Sequence, residues 1–277
     1  MLKKYRPFII CFYVLAAGAL AAASFVDLKL DIQLNDPTDI FARWFEATGE
    51  MPSRLLTTVA GVLLFYLCEK PVMRLFGLLA NFGGAAYLGY HLHRYFFRDD
   101  LPLAVGIVFG LGIGAIALYI GQYFHVPEQL KNPLIILSVA GIAVLFAQLA
   151  TIEVTKYLWG RVRFRDLLKQ GSYDAFTAWY HPNGLNGNKS FPSGHTAGAA
   201  MSYLMLLLPY ISKKWEKHRV WCFVLPLVFT SVVAYTRLVM GAHYLSDVTV
   251  GGVIGFTAVL IAIKIIDKKF LLHFQLQ

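Results

Sequence analysis

Charge is what this sequence has least of. Only 15% of its 277 residues are Asp, Glu, Lys or Arg, where a soluble domain carries about 25%. With 57% hydrophobic residues and a mean hydropathy of +0.57, the composition excludes a soluble globular protein and indicates an integral membrane protein. Cysteine is scarce too. Cys11, Cys68 and Cys222 lie in or beside apolar runs. An odd count without motif spacing gives no disulfide framework and no zinc site, so they read as small core hydrophobes. Acidic residues are outnumbered by basic ones, 16 to 25, and no carboxylate cluster offers a metal cage. The net charge of +9 does not indicate nucleic acid, because basic residues interleaved with apolar runs mark membrane topology. There is no usable repeat and no low-complexity tail.

What the chain does have is long apolar runs. Residues 1–6 are basic and 7–26 apolar. This resembles a signal peptide, with Ala21-Ala22-Ala23 as a plausible cleavage site, but the run exceeds the usual signal core and favours a retained span. Segment 27–52 is polar and acidic. Asp36-Pro37-Thr38-Asp39 reads as N-cap, N1, N2 and N3 of a short helix. Ile40, Phe41, Trp44 and Phe45 then share a face, either in lipid at the interface or against the next span as a buried elbow. Further runs cover about 53–69, 72–93, 101–124 and 133–158, and then about 196–211, 219–236 and 245–266. Glycines such as Gly84, Gly89, Gly106 and the Gly110-Leu111-Gly112-Ile113-Gly114 string suit close helix packing in a bilayer. The expected fold is an all-α integral membrane protein of about eight transmembrane helices in one polytopic domain, 1–277, with an extracytoplasmic segment at 27–52.

Lys and Arg set the expected orientation. With both termini cytoplasmic, 13 of the 25 lie inside, and seven of the 12 outside fall in polar clusters around 156–189 and at 237. A basic cluster on the wrong side of a bilayer suggests an anionic ligand. Brevity and the lack of targeting signals point to a bacterial plasma membrane.

Three clusters carry candidate chemistry. The first is Lys156 to Arg165 at the end of the fifth run. Lys156 and Arg163 are seven apart and share a helical face; a guanidinium fork and an ammonium both suit phosphate oxygens. The second is Phe191-Pro192-Ser193-Gly194-His195-Thr196. Ser193 is a good N-cap, Gly194 permits close backbone approach, and the first-turn amides favour an anion. His195 can carry a proton there. The third runs from Thr236 to Asp247. His243 and Asp247 are four apart, so on a helix the carboxylate can hold one imidazole nitrogen and leave the other bare and basic. Arg237 stands before them for another phosphate oxygen.

In order and spacing the clusters resemble the three signature motifs of the type-2 phosphatidic acid phosphatase superfamily. The first is Lys, six residues, Arg-Pro, here Lys156 to Arg163 followed by Phe164 in place of Pro. Pro-Ser-Gly-His is intact at 192–195. The third is Ser-Arg, five residues, His, three residues, Asp, met by Thr236, Arg237, His243 and Asp247 with Thr in place of Ser. The motif region is 156–247. The resemblance implies a six-helix phosphatase core towards the C-terminal side, with two extra spans before the first motif. It implies that His243 attacks phosphorus, Asp247 orients it, and His195 protonates the leaving oxygen and then activates water. Lys156, Arg163, Ser193, Gly194 and Arg237 would hold the phosphate, with no metal and no cofactor. Lys189 is a candidate headgroup contact.

The expected activity is hydrolysis of a lipid phosphate monoester or diphosphate, such as undecaprenyl diphosphate, phosphatidylglycerol phosphate or phosphatidic acid. The competing readings are phosphotransfer to a lipid acceptor through the same phosphohistidine, and a non-catalytic lipid-phosphate binder or transporter. The partners expected are the lipid phosphate and membrane lipids; the sequence fixes no oligomeric state.

Overall fold

The computed structural model describes residues 2–97 and 100–274, without the side chains of Lys213 and 268–274. Arg98 and the side chains of Lys213, Lys268 and Lys269, used in the orientation count, lie outside the described part. Among the described residues the regular structure is helical, with no strand: α1 (Arg6–Leu34), α2 (Ile40–Thr48), α3 (Met51–Leu67), α4 (Pro71–Phe96), α5 (Leu103–Gly121), α6 (Glu128–Trp159), α7 (Phe164–Gln170), α8 (Gly194–Ala200), α9 (Leu208–Ile211), α10 (Arg219–Val239) and α11 (Leu245–Phe274). A 3-10 segment, Met201–Leu207, joins α8 to α9. Among the described residues, five segments are long and apolar enough to cross a membrane: Leu2–Leu34, Leu103–Gly121, Glu128–Gln170, Lys214–Val239 and Leu245–Asp267. The other runs read as spans are α3, α4 and the broken helix from α8 to α9.

Two boundaries differ from expectation. The first helix does not stop near 26 but continues to Leu34, burying Asp27 and Asp31. Their spacing of four keeps them on one face, and the Asp27 charge is tolerated because it is paired, as described below. The cap of α2 is Asp39, not Asp36. Asp39 Oδ1 accepts from Ala42 N at 2.6 Å, the i,i+3 geometry of an N-cap. Asp36 instead closes a local turn, accepting from Thr38 N at 2.9 Å and Thr38 Oγ1 at 2.6 Å.

The chain forms two compact units. One holds Met51–Leu145 and the described part of Val259–Gln277. Here α3, α4 and α5 meet through glycine. A Cβ at Gly89 would lie 2.1 Å from Gly106 O, and one at Gly110 would lie 2.2 Å from Ala85 O. The buried seam is Gly106, Gly110 and Gly114, spaced by four on one face. Gly112 is not part of it, since nothing lies within 4 Å of a Cβ there. Asn81 Nδ2 donates to Gly114 O at 3.0 Å across the seam.

The second unit, Leu2–Glu50 and Phe146–Ala258, holds all three clusters. Phe12, Tyr203, Phe223 and Phe256 form an aromatic core, with centroids 4.3 Å apart for Phe12 and Phe256 and 4.5 Å for Tyr203 and Phe256. Helix α11 closes on α8 through two glycines. Cβ atoms at Gly251 and Gly255 would sit 2.3 Å from Ser193 O and 2.4 Å from Ala197 O. The C-terminal ends of α1, α6 and α10 and the N-terminal ends of α8 and α11 thereby come together. Helix α2 packs its small face, Ala42, against Val239, Met240 and Ala242. Its outer face leaves Ile40, Phe41 and Trp44 exposed, so one helix combines the expected apolar face with a packed inner face.

Candidate active site

His243 is in the turn between α10 and α11, two residues before the last helix, and not on a helix with Asp247. Gly241, at φ +56°, makes that turn; its O accepts from Arg165 N at 2.8 Å. A residue with a Cβ is disfavoured there. His243 Nδ1 is 2.7 Å from the Ser190 carbonyl oxygen. A carbonyl only accepts, so Nδ1 carries the proton, and in the neutral ring Nε2 keeps its lone pair. Asp247 Oδ2 is 3.7 Å from Nδ1, too far for a hydrogen bond, and acts on the ring through its field and through Ser190. Ser190 Oγ donates to Asp247 Oδ2 at 2.5 Å. Tyr244 N donates to the same oxygen at 3.0 Å, capping α11. His243 is buried. Burial pushes its pKa down to about 3; the Asp247 carboxylate opposes this, and Arg163 and Arg237 reinforce it.

Behind Asp247 stands Arg161, fully buried. Its Nη1 donates to Asp247 Oδ1 at 2.6 Å and to Ser246 Oγ at 2.8 Å. Nη2 donates to Asp27 Oδ2 at 2.9 Å and Nε to Thr177 O at 2.9 Å. The guanidinium lies 4.1 Å from the Tyr244 ring centroid, within cation–π range. Asp27 Oδ1 also accepts from Ser246 N at 3.0 Å. One cation thus pairs with a carboxylate from α1 and one from α11.

The predicted phosphate ligands are brought around the same place. Ser193 caps α8, accepting from Thr196 N at 3.3 Å, and its own N donates to Asp247 O at 2.9 Å. The peptide bond between Phe191 and Pro192 is cis. A Cβ at Gly194 would lie 3.4 Å from Lys156 Nζ, which joins the first cluster to the second. Lys156 Nζ also meets Glu153 Oε1 at 2.7 Å. Arg163 Nη2 donates to Lys189 O at 3.4 Å. Lys189 lies further out, with Nζ 4.1 Å from the Tyr157 ring centroid and 3.8 Å from Glu153. Arg237 is 2% exposed. Nη2 donates to Glu46 Oε1 at 2.9 Å, while Nε and Nη1 have no hydrogen-bond partner among the described residues.

The polar loop before the second cluster is pinned to the end of α6. Gly160, at φ +51°, accepts from Asn186 Nδ2 at 2.7 Å. Asn183 N donates to Trp159 O at 2.8 Å, and Trp159 stacks on Phe191 at 4.9 Å. This loop therefore holds the Ser190 carbonyl against His243.

His195 meets residues no motif named. Its Nδ1 lies 2.9 Å from Glu50 Oε1 and its Nε2 3.1 Å from the Glu46 carbonyl oxygen. Burial pushes its pKa down, against the pull of Glu50. Burial also raises the Glu46 pKa, but Arg237 overrides it and holds that carboxyl below the usual range. Sequence reasoning thus missed Arg161, Asp27, Ser190, Glu46 and Glu50. Arg161 stood inside the first cluster, and Glu46 and Glu50 are spaced by four at the end of an amphipathic helix. Neither pattern by itself names a partner. Among the described residues, no three His, Cys, Asp or Glu side chains converge as a metal cage.

Residues 134–271 match the model of the PAP2 superfamily. Neither curated proteins nor solved structures give a match. The matched stretch contains all three clusters in order, and the superfamily comprises phosphatases in general, with lipid phosphates as their general substrate class. The chain belongs to the PAP2, or type-2 phosphatidic acid phosphatase, superfamily.

Proposed function

We propose that this protein is a lipid phosphate phosphatase that works through a phosphohistidine on His243. The observation that carries the reading is the buried His243 with Nδ1 held on the Ser190 carbonyl, which leaves Nε2 for attack, in a site where two Arg237 donors have no hydrogen-bond partner among the described residues. His243 Nε2 attacks phosphorus in line. Lys156, Arg163, Arg237 and the Ser193–Gly194 turn hold the equatorial oxygens, where charge gathers. Asp247, clamped by Arg161, stabilises the imidazolium side of the intermediate. His195 protonates the leaving oxygen and then takes a proton from the attacking water. Cationic side chains do the charge neutralisation, so turnover needs no divalent ion.

A lipid tail has a place to go. An apolar cavity of about 470 Å³ is lined by α1, α10 and the start of α11, and reaches Leu238 and Thr196, the neighbours of Arg237 and His195. This favours a substrate whose chain stays in the hydrocarbon while its headgroup enters, whether phosphatidic acid, phosphatidylglycerol phosphate or undecaprenyl diphosphate. We further propose eight passes with both termini cytoplasmic and the site outside, supported by the Lys and Arg distribution. Cysteines at Asn186 and Lys214 should then label oppositely with an impermeant thiol reagent; labelling at 214 alone reverses the orientation.

The deciding experiment treats purified protein, in EDTA, with a panel of these lipids and with p-nitrophenyl phosphate. Phosphate release and intact mass after rapid alkaline quenching are followed. Wild type should release phosphate and carry one phosphoryl group, which His243→Ala should not. Turnover abolished by EDTA and restored by magnesium would sink the metal-free mechanism. A phosphoenzyme in His243→Ala would sink the nucleophile assignment.

A further inference from the structure

The segment that ends α2 brings two further carboxylates beside Arg237 and His195. Glu46 is in α2, and Glu50 follows at the turn into α3. Glu46 takes one guanidinium nitrogen of Arg237 and is approached by Arg165 Nη1 at 3.7 Å. Glu50 lies on His195 Nδ1 at 2.9 Å, and the Glu46 carbonyl on Nε2 at 3.1 Å. Both ring nitrogens therefore face oxygen acceptors. Only the imidazolium, with an N–H on each nitrogen, satisfies both at once.

Nothing in the superfamily match covers this pair, since the matched residues begin at 134. The packing that holds it is tight. A Cβ at Gly49 would meet Val233 Cγ1 and Cγ2 at 3.0 Å each, so the backbone just before Glu50 presses directly on α10. Glu50 itself is 8% exposed, and a carboxylate this far from water is kept for a cationic neighbour.

We propose that Glu50 is the positioning carboxylate of His195: it holds the ring in register and favours its charged form against the cost of burial, so that His195 can act as the acid for poor leaving groups. The inference rests on the phosphatase reading. In the first step the P–O bond breaks with its electron pair going to oxygen, and the Nε2 proton leaves the Glu46 carbonyl and passes to that oxygen. His195 is then neutral and can take a proton from water as water displaces His243 from phosphorus. The charged groups around His195 are Glu50, Glu46 and Arg237, with Arg165 held on Glu46. Burial and Arg237 disfavour the proton, while Glu50 and Glu46 favour it. Removing the Glu50 charge therefore moves the loss of the acid form to lower pH.

The test compares wild type, Glu50→Gln and Glu50→Asp on decyl phosphate, whose alkoxide needs a proton, and p-nitrophenyl phosphate, whose phenolate does not. For Glu50→Gln we expect kcat on decyl phosphate at pH 7.5 to fall about 10²-fold, with KM changed far less and the alkaline limb displaced to lower pH. The rate of phosphoenzyme formation from p-nitrophenyl phosphate should fall at least tenfold less. Glu50→Asp, which keeps the charge, should restore the limb. Equal losses on both substrates, or an unmoved limb in an active Glu50→Gln, would overturn the proposal and leave the phosphatase reading intact. Absence of phosphoenzyme in wild type would sink the phosphatase reading itself. If Glu50→Gln does not fold, Glu50→Asp decides: an alkaline limb displaced as far as that of Glu46→Gln, with its charge retained, refutes the role.

Discussion

Replacing Arg161 by Met should be among the most damaging single changes in the second unit, although Arg161 is assigned no contact with substrate. The guanidinium is fully buried, bonded to Asp247 at 2.6 Å and Asp27 at 2.9 Å. Met fills similar space but leaves two carboxylates without their cation. Removing one partner of a buried pair costs about 3–5 kcal/mol, and here both acids lose the same partner. At 1.36 kcal/mol per decade, the lower end already lowers the folded-to-unfolded ratio by roughly 10²-fold. The assay is unfolding in mixed micelles titrated with SDS, run as a cycle with Asp27→Asn. If the cost is an uncompensated charge, the double variant should be more stable than Arg161→Met alone. Turnover should fall as well, because Asp247 loses the clamp that sets it behind Ser190 and His243. Wild-type stability in Arg161→Met, or cycle energies additive within about 0.5 kcal/mol, would refute the reasoning.

Two further outcomes follow from the geometry. The attacking form of His243 is neutral, and burial places its pKa near 3, so that form should persist as pH falls and be lost only towards that value. An unshifted imidazole would be only ~3% neutral at pH 5; the rate of phosphoenzyme formation from p-nitrophenyl phosphate should therefore survive at pH 5, and a fall with a midpoint near 6.5 would contradict the burial argument. Gly251→Ala places a methyl 2.3 Å from the Ser193 carbonyl; it should cost about 1–3 kcal/mol as overpacking and lower kcat by shifting the Ser193 turn, and unchanged melting and turnover would show that α11 relaxes freely.

Much of this protein was legible in the residue order. Apolar runs gave membrane helices because a bilayer demands continuous hydrophobic length. The three clusters gave the family and its candidate chemistry because that chemistry requires particular side chains at particular spacings. Those signals are local, each held within about ten residues. What the tertiary structure decided lies between segments far apart in the chain. His243 was paired by spacing with Asp247, yet the atom at hydrogen-bond distance is the carbonyl of Ser190, since the turn at Gly241 takes His243 off the helix. Asp27 looked like part of a polar connector, and became interior only because Arg161 arrives to neutralise it. Glu46 and Glu50 belonged to a helix whose aromatic face could be read, but whose inner face had no stated partner. Periodicity reports which residues share a face, whereas a charge is kept in the interior by whichever opposite charge the fold delivers.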